Sequence, residues 1–180
     1  MNIVWTAAFL VALAPLQPAL ASQADGHAGQ HDDRKTSALI EKVRAATETF
    51  RDVRNTTGLY EPILGCVSGP LEGAMGVHFV NKTLLTDNVL LADEPEALIY
   101  EFKNGIARLV GVEFIVLASV WHQTHAPDDP PVLEGQLLQF EDSPNRFGLP
   151  PFYQIHVWAW RDNPNGAFVD WNRRVSCEGQ

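Results

Sequence analysis

The stretch IARLVGVEFIVLAS, Ile106 to Ser119, is the most strand-like segment of the chain and decides the fold. Val110, Val112, Phe114 and Val116 fall on one face at a period of two. Leu109, Gly111, Glu113, Ile115 and Leu117 fall on the other. Both faces are apolar, which predicts a strand covered on both sides. Glu113 breaks the pattern. A carboxylate between apolar neighbours in mid-strand must be paired, protonated or bound to a cation, because an unpaired buried charge is too costly to keep.

Working outward, Lys103-Asn104-Gly105 precedes this strand, and Asn-Gly is a strong hairpin signal. Its partner is EALIYEF, Glu96 to Phe102. A short strand is expected over Gly76 to Asn81 and another over Val132 to Phe140. A strong one is expected over Phe152 to Arg161, and the turn Asn163-Pro164-Asn165-Gly166 should return the chain through Ala167 to Trp171. Ahead of all these lies one clear helix, Ser37 to about Arg54. Leu39, Val43, Ala46, Phe50 and Val53 repeat there at alternating spacings of roughly four and three, a single apolar stripe. The expected class is α+β. An N-terminal helix packs on a mostly antiparallel, strongly curved sheet or barrel of roughly five to seven strands.

Residues 1–21 read as a secretory signal peptide. An apolar run from Ile3 to Leu16 is followed by Ala19-Leu20-Ala21, an A-x-A cleavage pattern ahead of Ser22. The short n-region, Met1-Asn2, departs from the usual pattern in carrying no Lys or Arg. The run is too short for a bilayer span, which needs roughly 20 apolar residues. Residues 22–35 are polar and turn-rich and read as a disordered tail. Residues 36–180 then form one domain, in a secreted or periplasmic protein. A net charge of -9 without a Lys/Arg cluster argues against nucleic acid and anionic membrane as partners. Stable membrane insertion is not expected either.

The chain has two cysteines, Cys66 and Cys177. In an oxidising compartment they are expected to form one disulfide, clipping the C-terminal end to the segment after the helix. A catalytic thiol is the sharper alternative, but nothing near either cysteine resembles an activated thiolate site.

Of six histidines, two fall in strands: His78 in GVHFVN and His156 in QIHVWAW. Gln154, His156, Trp158 and Trp160 share one face of the latter. His78, Glu113 and His156 therefore each stand in mid-strand among apolar neighbours. If the strands are adjacent and the side chains point the same way, two imidazoles and one carboxylate converge. That donor set suits zinc, copper or iron. Glu101 is a candidate outer partner of the ligands. Against this stands a plain structural reading, with Glu113 paired to Arg108 or Arg161 and each histidine satisfied in the core. No H-x-H, H-E-x-x-H or C-x-x-C arrangement vouches for the cluster. His122 and His125, in WHQTH, are candidate rim residues. Trp158 and Trp160 are candidate pocket walls.

The segments AMGVHFVN, PEALIYE, GIARLVGVEFIV and HVWAWRDNPNGAFVDWNRRVSC together resemble a family of small secreted bacterial proteins of uncharacterised function. The resemblance spans about Cys66 to Cys177. It implies export and a single domain, and brings no activity, substrate or site residue. The G-x-W strand characteristic of lipocalins is absent.

Three functions follow as expectations. The first is a secreted or periplasmic binding protein that holds a transition metal or small ligand in a pocket lined by His78, Glu113 and His156. The second is a metal-dependent or acid/base enzyme using the same pocket. The third is a structural or interaction protein.

Overall fold

The computed structural model describes Met1 and residues 30–69 and 71–179. The expected signal segment and the first part of the expected tail lie outside them. Helix α1 runs Gln30–Thr47 and is followed by two 3-10 turns, Glu48–Arg51 and Val53–Thr56. The helix begins ahead of the expected start at Ser37, within the segment expected as tail. Extending an existing helix by a residue costs far less than starting one, so composition alone places its start poorly.

Nine strands follow among the described residues. They are β1 (Glu61–Pro62), β2 (Val67–Gly69), β3 (Gly73–Val80), β4 (Ala97–Lys103), β5 (Ile106–Leu117), β6 (Val132–Leu133), β7 (Gln136–Leu137), β8 (Gln139–Glu141) and β9 (Phe152–Val157). A short helix, α2 (Ala118–Trp121), leaves β5. Seven strands form one antiparallel sheet in the order β1-β3-β4-β5-β9-β8, with β2 also on β3. β6 and β7 make a separate hairpin.

Among the described strands no pairing joins β1 to β8, so the sheet is open and the expected barrel or strong curl is not formed. Closure requires end strands that pair along their length. These two are only two and three residues long.

The expected strand over Val132 to Phe140 is broken. Glu134 and Gly135 both have positive φ, 49° and 83°, the geometry of a type I′ turn. The chain folds there into the β6–β7 hairpin. Asn104 and Gly105 make the same kind of turn between β4 and β5, at φ 53° and 75°. The expected strand over Ala167 to Trp171 is absent. That segment is turns and bends, and its neighbour Asn172 touches the sheet only through a bridge to Ala74.

The sheet has two apolar faces. On one, Phe79, Leu98, Tyr100, Val112, Phe114, Val116, Ile155 and Val157 share a buried cluster with Leu39 and Val43 of α1. On the other, Ile99, Val110, Trp158 and Val175 form one cluster, and Val80, Ala97, Ile115 and Phe152 form another. A β-bulge between β4 and β5 sorts these side chains. Ile99 pairs with Gly111 but Tyr100 pairs with Leu109, so Val110 is an extra residue. Leu109 consequently joins Val112's face, and Val110 joins that of Glu113. Strict alternation along Ile106 to Ser119 assigns both residues the other way.

Cys66 and Cys177 form a disulfide with a Cα–Cα distance of 5.5 Å across 111 positions. The chain-entropy relation gives such a loop about 4–5 kcal/mol of stabilisation. No helix among the described residues is long and apolar enough to cross a membrane.

Candidate functional site

His78, Glu113 and His156 stand on the face away from α1, on β3, β5 and β9. Glu113 and His156 are direct cross-strand partners. His78 pairs with Ile99 of β4, and Glu113 pairs with Ala97. His78 must therefore reach across β4, since β3 and β5 lie about 10 Å apart at ordinary strand spacing. Small neighbours make room. Ala97 stands under the crossing, and Gly111 stands opposite Ile99. A Cβ on Gly111 would meet the Val157 carbonyl at 2.8 Å and the Trp158 ring at 3.2 Å.

The three side chains converge. His78 Nε2 lies 3.3 Å from His156 Nε2 and 3.3 Å from Glu113 Oε2. One donor atom from each residue lies within 4.8 Å of the other two. All three residues are buried, with 5%, 6% and 2% exposure for His78, Glu113 and His156. The group is of a kind that can hold a metal ion. Donor atoms bound at 2.0–2.1 Å around a tetrahedral ion stand about 3.3–3.4 Å apart. Two edges of that tetrahedron are already present.

His156 is held from behind. Its Nδ1 lies 3.1 Å from Gln154 Oε1 and 3.5 Å from Asp170 Oδ1, and Gln154 Nε2 donates to Asp170 Oδ1 at 3.0 Å. Both neighbouring oxygens accept, so Nδ1 carries the proton and the Nε2 lone pair faces Glu113 and His78. The Trp158 ring lies nearly parallel to that of His156, at 5.9 Å, and its Nε1 donates to the Val169 carbonyl at 2.6 Å. His78 Nδ1 is buried, and among the described residues no well-aligned hydrogen bond reaches it.

Burial drives the titration of the group. It pushes His78 down to about 3, and the neighbouring His156 adds to the effect. Burial pushes Glu113 up to about 7, against the attraction of His156. For His156 burial also disfavours the charged form, but Glu113 and Asp170 outweigh it and its pKa is raised. Glu113 is thus drawn toward its protonated form and His156 toward its charged one. A divalent ion at the triad would be balanced by two carboxylates, Glu113 beside it and Asp170 behind His156.

The other candidates are sorted differently. Glu101 does not support the triad. It accepts from Arg161 Nη2 at 2.7 Å and from the Ser176 amide at 3.1 Å, close to the disulfide. Arg161 is thereby occupied, and Glu113 is left to the histidines. Trp158 lies beside His156 rather than among the cavity walls, and Trp160 leaves this face. β9 ends at Val157, and the Trp160 and Arg161 amides both donate to the Val110 carbonyl. Trp160 consequently turns to the helix side, where its Nε1 donates to Thr47 Oγ1 at 2.9 Å. His122 and His125 are not at the rim. His122 Nε2 is 3.0 Å from the Tyr153 hydroxyl, on the helix-side face, and His125 stacks on Trp121 at 3.5 Å.

Three elements escape a sequence reading. Gln154 carries a weak signal, sharing His156's face two residues away. Asp170 carries none, because an irregular loop delivers it. The cover over His78 and Glu113 is the third. A cavity of about 20 Å³ opens there, with walls that include Ile63, Leu64, Phe147, Leu149 and Phe152.

Comparison with known proteins finds no matching family model, no matching curated sequence and no matching solved structure. The fold and the site define the class on their own: an α+β domain with an open antiparallel sheet and a buried two-histidine, one-carboxylate group on one face.

Proposed function

We propose that this is an extracytoplasmic binding protein that holds one transition-metal ion through His78 Nε2, His156 Nε2 and Glu113 Oε2. The carrying observation is the pair of 3.3 Å donor separations inside a buried group. Two neutral imidazoles and a carboxylate suit zinc, iron or copper. Gln154 and Asp170 supply the outer hydrogen bonds that orient a ligating histidine. The disulfide and the A-x-A pattern support a place in an oxidising compartment.

The test is elemental analysis of protein purified without chelator or affinity tag. Wild type should carry about one equivalent of metal. His78→Ala and His156→Ala should lose it while still folding. Protein that stays metal-free after titration with zinc, copper and iron would sink the proposal. It would leave the triad as a polar cluster that satisfies itself by sharing a proton.

A further inference from the structure

Three protein donors leave a tetrahedral ion one position short. His78 and Glu113 both line the cavity of about 20 Å³, whereas His156 does not. That volume suits a single water, which needs roughly 10–15 Å³. The rest of the wall is apolar: Ile63, Leu64, Val80, Leu149 and Phe152 among others. A cavity so lined offers an incoming molecule no polar partner except the group at its floor. Ile63, at 39% exposure, stands at its mouth.

We infer that the fourth coordination position faces this cavity and takes one small exogenous ligand, water or a slim linear anion. The inference rests on the metal reading above. The apolar walls select by width. A molecule one atom across suits a cavity of this volume, while a ring or a tetrahedral oxyanion is too wide for it. The same walls exclude bulk water, so a bound ligand exchanges slowly and keeps its full interaction with the ion.

The experiment uses the whole protein loaded with cobalt(II), whose visible bands report coordination. Azide should shift the bands saturably, and imidazole should leave them unmoved. Leu149→Phe, which fills the cavity, should weaken azide binding by ~10-fold or more while leaving the cobalt bands in place. Leu149→Ala should let imidazole shift them. Should Leu149→Phe fail to fold, Ile63→Trp at the mouth serves the same purpose. A cobalt protein indifferent to azide, or equal azide binding in the filled and open variants, overturns the inference but leaves the metal reading standing. A wild type that takes up no cobalt overturns both.

Discussion

The two faces of the sheet are built from the same strands, residue by alternate residue, and they do opposite things. The helix-side face buries Val112, Phe114, Val116, Ile155 and Val157 under Leu39 and Val43. The polar atoms its tyrosines carry point away to partners; the Tyr100 hydroxyl, for example, donates to the Phe50 carbonyl. The opposite face buries Ile99, Ile115, Phe152 and Trp158, but in their midst it also buries His78, Glu113, Gln154 and His156. Ordinary hydrophobic burial accounts for the first face completely. It cannot account for the second, where desolvating a carboxylate and two imidazoles opposes folding. One side of the sheet is buried as an apolar core, and the other buries a polar group within one.

Four variants probe that division. Phe114→Ala should cost about 3–5 kcal/mol in chemical denaturation and leave metal bound per folded molecule unchanged. Loss of metal at constant fold in this variant would mean that the two faces are not separate. Replacing His78, Glu113 and His156 together by Leu, Met and Leu should abolish metal binding. Relative to metal-free wild type it should leave stability equal or raised by about 1–4 kcal/mol, because a packed apolar set replaces buried polar groups. A marked destabilisation would show the triad to be structural. Asp170→Asn should weaken metal binding by roughly 10–100-fold with little change in stability, as expected of a group that only orients His156. Unchanged affinity in competition titrations would remove Asp170 from the site.

The last comparison concerns Glu96, just ahead of β4. It is buried, its Oε2 accepts from the Ile115 amide at 2.9 Å, and Oε1 has no partner. Burial pushes this carboxyl up to about 8. Its folded value is above the unfolded one, so its contribution is complete below the unfolded value of 4.5 and is lost as pH rises toward 8. Metal-free wild type should therefore lose stability from about pH 5 to 8 by up to a few kcal/mol more than Glu96→Gln does. His78 runs the opposite way, adding stability as pH rises from about 3 to 6.5. The difference between wild type and variant isolates Glu96, and equal slopes would show that it does not titrate in this window.

Much of the site is legible in the chain because it consists of misfits. Glu113 in an apolar strand, and His78 and His156 in two others, are anomalies of local pattern, and local pattern is what a sequence displays. The Asn104-Gly105 turn is legible for the same reason. What fails is anything set by registry. The extra residue Val110 exchanges the faces of Leu109 and Val110, and nothing in LVGV announces it. The end of β9 at Val157 sends Trp160 to α1, although Trp158 and Trp160 look equivalent in HVWAW. Whether the sheet closes depends on how long its outermost strands are. That is decided by turns such as Glu134-Gly135, whose residues lack the usual Asn-Gly signature.

Asn172 carries a consequence for how an ion would arrive. It is fully buried, its side chain donates to the Arg161 and Asp162 carbonyls, and its backbone bridges Ala74 at the start of β3. Asp170, two residues away, is thereby tethered to the strand that carries His78. The orienting loop and the ligand strand form a single hydrogen-bonded frame, closed further by the disulfide. Such a frame limits how far its ligands can shift when it is filled. Metal uptake should then resemble a key entering a fixed lock past apolar side chains such as Ile63 and Leu149. Its speed would be governed by how often those side chains part, and an ion once seated would be released just as reluctantly.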